Sequence, residues 1–249
     1  MRFTTTTTSN DVIERTFTVN DVPGVLWSPA SDAGRSPLML MGHPGGMGKK
    51  AQGLVARAMY YVSTLGFHVG AIDAPGHGDR TRSAEDARWV DQMQRARAAG
   101  GPLGSIVSEF NASVAERAVP EWMATLDELQ TLPEIADGPV GYSGMTLATE
   151  IGFRLLVADA RIGAAVLGGA FASEALLGLA VQVTVPVQYL LSWDDPEIDR
   201  ESTFALFGAL GSTQKTLHAN PGPHSNVPWF ETEDGGRFFE RHLVAARGA

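Results

Sequence analysis

The 249-residue chain contains no cysteine. That excludes a disulfide framework, a thiolate metal site and a cysteine nucleophile. Cationic residues are scarce: 19 Lys and Arg stand against 28 Asp and Glu, for a formal net charge of −9 at pH 7. A surface that binds nucleic acid needs clustered Lys and Arg to neutralise phosphates, so no nucleic-acid partner is expected. No apolar run reaches the roughly 18–20 residues needed to span a bilayer, so no membrane partner is expected either. The N-terminus reads Met-Arg-Phe and then five Thr, without the apolar stretch of a secretory signal. Nucleotide motifs are also missing. A phosphate loop ending at Gly48-Lys49 would need its first Gly at His43 and its Ser or Thr at Lys50. No G-x-G-x-x-G opens a helix, and no cofactor of any kind is expected. What is present is a globular composition, 44% hydrophobic and 19% charged. These features predict a cytoplasmic protein with a small-molecule substrate. Any catalysis must use Ser, Thr, His, Asp, Glu, Lys or Tyr.

Short apolar runs alternate with segments of helical period. Residues 38–41, 67–72, 139–142, 164–167, 185–191 and 216–218 form the runs, which suit strands buried on both faces. Between them, helical spacing marks Leu54 to Leu65, Ala148 to Leu155 and Phe204 to Leu210, and Phe239, Leu243 and Ala246 suggest a closing helix. Strand–helix alternation predicts an α/β fold built on a doubly wound, mostly parallel sheet. Val12 to Val19 and Gly24 to Trp27 read as an antiparallel pair around an Asn20-Asp21 turn, and Thr4–Thr8 as a frayed end. Between Ile72 and Pro139 lie 66 residues, too many for one crossover. They hold two helical patterns, Ala84 to Ala98 and Ser105 to Leu132. The expected organisation is one domain over residues 1–249, with a helical insertion over residues 80–118 after the fourth strand, placed to form a cap or lid.

Ligands of open α/β sheets bind beyond the carboxyl ends of the strands. The segments following the runs are therefore informative: Gly42-His43-Pro44-Gly45-Gly46, Asp73-Ala74-Pro75-Gly76-His77-Gly78, Ser143-Gly144-Met145-Thr146, Trp193-Asp194-Asp195-Pro196 and Pro221-Gly222-Pro223-His224. A hydroxyl, an acid and a histidine follow one another at strand ends, the chain order of an α/β-hydrolase triad.

On these motifs the chain resembles the α/β-hydrolase superfamily over roughly residues 12–246, in particular its small dienelactone-hydrolase-like esterases. The resemblance implies an eight-stranded sheet, a catalytic triad and an oxyanion hole made of two backbone amides. The nucleophile position departs from the family pattern. G-x-S-x-G centred on Ser143 fails at Met145, whereas centring on Thr146 gives the small flanks Gly144 and Ala148. Thr146 to Ile162 also matches the family's spacing of about sixteen residues to the next strand. Thr146 is thus the candidate nucleophile where the family has Ser or Cys, with Ser143 in reserve. Asp195 is the candidate acid by its S-x-x-D context before Ile198, with Asp194 in reserve. His224 is the candidate base, and His218, at a strand end, is expected to pack.

His43-Pro44-Gly45-Gly46 resembles the oxyanion loop. Pro44 has no N–H, so Gly45 and Leu147 are the expected donors, with His43 beside the substrate. Asp73, His77 and Asp79 are read as the family's structural turn rather than a metal site, and no metal is expected. Trp89 and Phe110 are candidates to line an apolar pocket. Two activities fit these residues: hydrolysis of a carboxylic ester, lactone or similar acyl bond through an acyl-enzyme, or a lyase, epimerase or cyclase reaction using the His–Asp pair without a covalent step.

Overall fold

The computed structural model describes residues 1–31 and 34–244. Ala246 of the expected closing helix lies outside them. In chain order the elements are β1 (Arg2–Ser9), β2 (Val12–Val19), β3 (Val22–Pro29), β4 (Leu38–Met41), α1 (Gln52–Leu65), β5 (His68–Ile72), α2 (Ala84–Ala98), α3 (Gly104–Leu129), β6 (Val140–Met145), α4 (Leu147–Ala158), β7 (Ile162–Gly168), α5 (Glu174–Ala180), β8 (Val187–Ser192), α6 (Arg200–Ala209), β9 (Lys215–Asn220) and α7 (Phe230–Phe239). A 3₁₀ turn at His224–Asn226 precedes α7, and a π-helical turn at Glu240–Val244 follows it.

The strands form one nine-stranded sheet in the order β1-β2-β3-β5-β4-β6-β7-β8-β9. Pairing is antiparallel from β1 to β5 and parallel from β5 to β9. Nine strands, not the eight implied by resemblance, arise because the threonine run is a strand rather than a frayed end. β-Branched Thr suits extended backbone. A second Asn-Asp pair makes the hairpin: Asn10 and Asp11 have φ of 49° and 59°, as Asn20 and Asp21 have 48° and 64° in the next hairpin. A type I′ turn requires positive φ at both central residues, which Asn and Asp tolerate. The long helical segment consequently follows the fifth strand, not the fourth.

The strands' period of two sends alternate side chains to opposite faces. Leu38 and Leu40 of β4 join Phe110, Trp122, Leu126, Ile151 and Leu155 under α3 and α4. Met39 and Met41 join Leu54, Tyr61, Val62 and Phe239 under α1 and α7. The residue-118 boundary expected for the insertion falls inside α3. Phe110, Val114 and Ala118 before it and Trp122, Leu126 and Leu129 after it belong to the same core. In α2, by contrast, only Asp86 is buried, held by Arg117 of α3 at 2.7 Å.

β4 leads through α1 to β5 on one side and has β6 on the other. The strand order therefore reverses at β4, and open α/β sheets bind their ligands beyond the carboxyl strand ends at such a reversal, here those of β4 and β6. Gly42–Gly46 and Thr146 stand there. Among the described residues no helix is long and apolar enough to cross a membrane.

Candidate active site

β6 continues past Ser143 to Met145, and the chain turns at Thr146 straight into α4. Thr146 has φ 57° and ψ −114°. The other non-glycine residues with positive φ, among those described, are Asn and Asp in the two hairpin turns. A β-branched residue in this region stores roughly 1–3 kcal/mol, tolerated only where the surroundings over-determine it. They do so here. The Thr146 N–H donates to the Gly168 carbonyl at 3.0 Å. The Thr149 hydroxyl donates to the same carbonyl at 2.6 Å and accepts from the Gly168 N–H at 3.1 Å, stapling α4 to β7. A Cβ on Gly144 would lie 2.6 Å from the Ala148 Cβ and 2.7 Å from its carbonyl oxygen. Small residues are thus required two positions before and after Thr146. Gly144→Ala is expected to cost about 1–3 kcal/mol of stability by overpacking against backbone. Urea unfolding checks this, and a midpoint equal to that of the parent would contradict the crowding.

The Thr146 hydroxyl oxygen is buried and has no protein hydrogen-bond partner. A Cβ on Gly169 would lie 3.4 Å from Thr146 Cγ2 and 3.6 Å from His224 Cβ, so the two side chains flank the same glycine. Ser143 instead sits within β6, paired with Met41 and Val166, and its carbonyl accepts from the Gly42 N–H at 2.9 Å.

His224 stands on the loop after β9 and pairs through Nδ1 with Asp195 Oδ2 at 2.6 Å. The Asp195 side chain is 1% exposed, that of His224 24%. Asp195 also accepts the backbone N–H groups of Glu197, Ile198 and His224. Burial pushes its carboxyl upward, but these amides and the imidazole outweigh burial and hold it below the usual aspartate value. An ionised Asp195 fixes the proton on His224 Nδ1 and leaves Nε2 as the basic nitrogen. Asp194 points elsewhere and accepts only a long bond from the Gly222 N–H at 3.4 Å.

The oxyanion-loop candidates lie beside the elbow. A Cβ on Gly45 would lie 3.9 Å from the Leu147 Cβ. Leu147 is the first residue of α4, where a helix leaves its N–H groups without intrahelical acceptors. His43 is 2% exposed, and both its ring nitrogens are engaged inside the protein. Nδ1 donates to the Pro44 carbonyl at 2.8 Å, and Nε2 accepts from the Ala74 N–H at 3.0 Å. Burial keeps this imidazole below its ordinary pKa against the pull of the Pro44 carbonyl. His43 therefore braces the loop from within instead of standing free to meet a substrate.

The Asp73 turn has the structure of a clamp. Asp73 is fully buried and accepts the Lys49 ammonium at 2.7 Å, the Lys49 N–H at 2.6 Å and the Asp79 N–H at 2.9 Å. Lys49, which fits no phosphate loop, is buried against this carboxylate instead, a pairing with no local sequence signature. Phe110 is 4% exposed, its ring 6.2 Å from that of His77, and Trp89 is a partly buried residue packed on the same core. Gly168 and Gly169 were also missed, although a Gly-Gly pair at a strand end is a visible sign of close backbone approach.

No family model and no curated protein matches the chain. Solved structures do. A PEG-bound cold-adapted esterase from an Arctic intertidal metagenomic library is 34% identical, with a TM-score of 0.78 over 98% of this chain and 100% of that one. A zinc-bound structure of a cold-adapted esterase of the same description is 31% identical, with a TM-score of 0.71 over the same shares. The acetyl xylan esterase of Paenibacillus sp. R4 is 12% identical, with a TM-score of 0.66 over 97% of this chain and 88% of that one, and shares the fold. The chain belongs to the α/β-hydrolase superfamily, and its similar structures group it with the esterase-type hydrolases there.

Proposed function

We propose that the chain cleaves a carboxylic ester, lactone or similar acyl bond through a Thr146–His224–Asp195 triad and an acyl-enzyme. The observation that carries this reading is the positive φ of Thr146 at a strand-to-helix junction, flanking the same glycine as a histidine bound to a buried aspartate. That conformation is costly for threonine and serves no turn chemistry, and the hydroxyl it carries at the strand end is buried without a protein partner. The 34% identical esterase supports ester hydrolysis as the reaction.

In this reading His224 Nε2 takes the Thr146 hydroxyl proton as the oxygen attacks the carbonyl carbon. The Gly45 and Leu147 N–H groups hold the resulting oxyanion. Asp195 stabilises the imidazolium, which then protonates the departing alcohol oxygen. Water, deprotonated by His224, attacks the acyl-Thr146 and releases the acid. The insertion serves as a lid: Trp89, on the helix with least burial, roofs the acyl site, and Phe110 backs it through His77.

The test is hydrolysis of p-nitrophenyl acetate and butyrate, with fluorophosphonate labelling and mass spectrometry. Turnover and an adduct on Thr146 are expected. Absence of turnover on every acyl ester tried would overturn the reading, and an adduct on Ser143 would move the elbow by three residues.

A further inference from the structure

His218, half-buried on β9, is absorbed by none of the chemistry above. Its Nδ1 lies 2.8 Å from Oε2 of Glu231 at the start of α7. Asp234 is one turn further along α7, and one ligand atom from each of the three residues lies within 4.8 Å of the others. The Glu231 side chain is only 4% exposed. No Lys or Arg pairs with it among the described residues; its other partners are the neutral amides of Gln188 at 3.2 Å and Asn220 at 2.8 Å. A buried carboxylate without a fixed cation is costly, and amide donors oriented onto it are the kind of outer support that positions a metal ligand.

We propose that His218, Glu231 and Asp234 form a binding site for one zinc-type divalent cation. One imidazole nitrogen and two carboxylates match a three-ligand zinc set with water in the fourth position, and the two negative charges balance the cation. The neutral imidazole moves its proton to Nε2, and the Nδ1 lone pair then goes to the metal. No oxidant or further base is required. Asp234 gives up its pairing with the exposed Arg237, a surface contact worth little. A nitrogen ligand favours zinc, cobalt or nickel over calcium or magnesium. A bound ion ties β9 to α7 across the segment that carries His224 and keeps one coordination position for water.

The test is calorimetric titration of EDTA-stripped protein with zinc at pH 7.5. One equivalent is expected to bind and to raise Tm. Asp234→Asn replaces a partly exposed carboxylate and leaves the core alone. It and His218→Asn should each weaken binding by at least the ~10–100-fold that loss of a supporting residue costs at metal sites. His224→Ala should bind zinc like the parent, which separates this site from the Asp195 pair. Cobalt(II) gives a readout that needs no variant, because four-coordinate cobalt absorbs visibly. No zinc uptake, unchanged affinity in both Asp234→Asn and His218→Asn, or calcium binding as tightly as zinc would each overturn the proposal.

Discussion

Replacing His224 with alanine is expected to lower kcat on an accepted ester by about 10³–10⁶-fold while leaving the fold intact. The size follows from what the ring does. Without it, no group accepts the Thr146 proton during attack or returns one to the leaving alcohol. The neutrality of the fold follows from position. His224 lies on a loop, is partly exposed and contributes nothing to either core cluster. Circular dichroism and unfolding of the variant check that half of the expectation, and steady-state kinetics the other. A folded variant with near-parental turnover would remove His224 from the mechanism. Asp195→Asn should be severe as well, since a neutral amide neither selects the Nδ1 proton nor stabilises imidazolium. Asp194→Asn should be mild, because Asp194 reaches Gly222 and not the ring.

The second large effect is at the hydroxyl. Thr146→Ala is expected to abolish ester turnover, and Ser143→Ala to leave it within a few-fold of the parent. Thr146→Ser should keep or raise it. Serine retains the attacking oxygen and loses the Cγ2 methyl, which lies 3.4 Å from where a Cβ on Gly169 would stand. It also relieves part of the roughly 1–3 kcal/mol that a left-handed conformation costs. Kinetics on one p-nitrophenyl ester across the three variants reads all of this. If Thr146→Ala keeps most activity on the native substrate while His224→Ala destroys it, chemistry runs without a covalent step, as in a lyase or epimerase of this fold.

Candidate site residues could be named from the sequence because α/β sheets put function at strand ends, and strand ends are visible as places where an apolar run meets Gly, Pro, Asp or His. The Thr146 position could be argued from Gly144 and Ala148, since crowding selects residue size and size is written in the sequence. His43 was misplaced toward the substrate for the opposite reason. Its two bonds, to the Pro44 carbonyl and the Ala74 N–H, join segments 31 residues apart, and nothing local announces the second.

The sequence by itself determined the succession of strands and helices, the alternation that gives each strand two buried faces, and the chain order hydroxyl–acid–histidine. Those depend on period, turn chemistry and residue size, all properties of neighbouring residues. The Asn10-Asp11 turn is a local signal of the same kind, a repeat of Asn20-Asp21 that the frayed-end reading of Thr4–Thr8 left unused. The S-x-x-D context already favours Asp195 over Asp194, but only the tertiary structure decided that Asp195 meets His224 Nδ1, that Lys49 neutralises the buried Asp73, and that His218 meets Glu231 across the sheet edge. Each of those pairs joins residues brought together by packing, 29, 24 and 13 positions apart. Their geometry is set by how β8, β9, α7 and the β4 loop sit on one sheet, and no local pattern of residues encodes it.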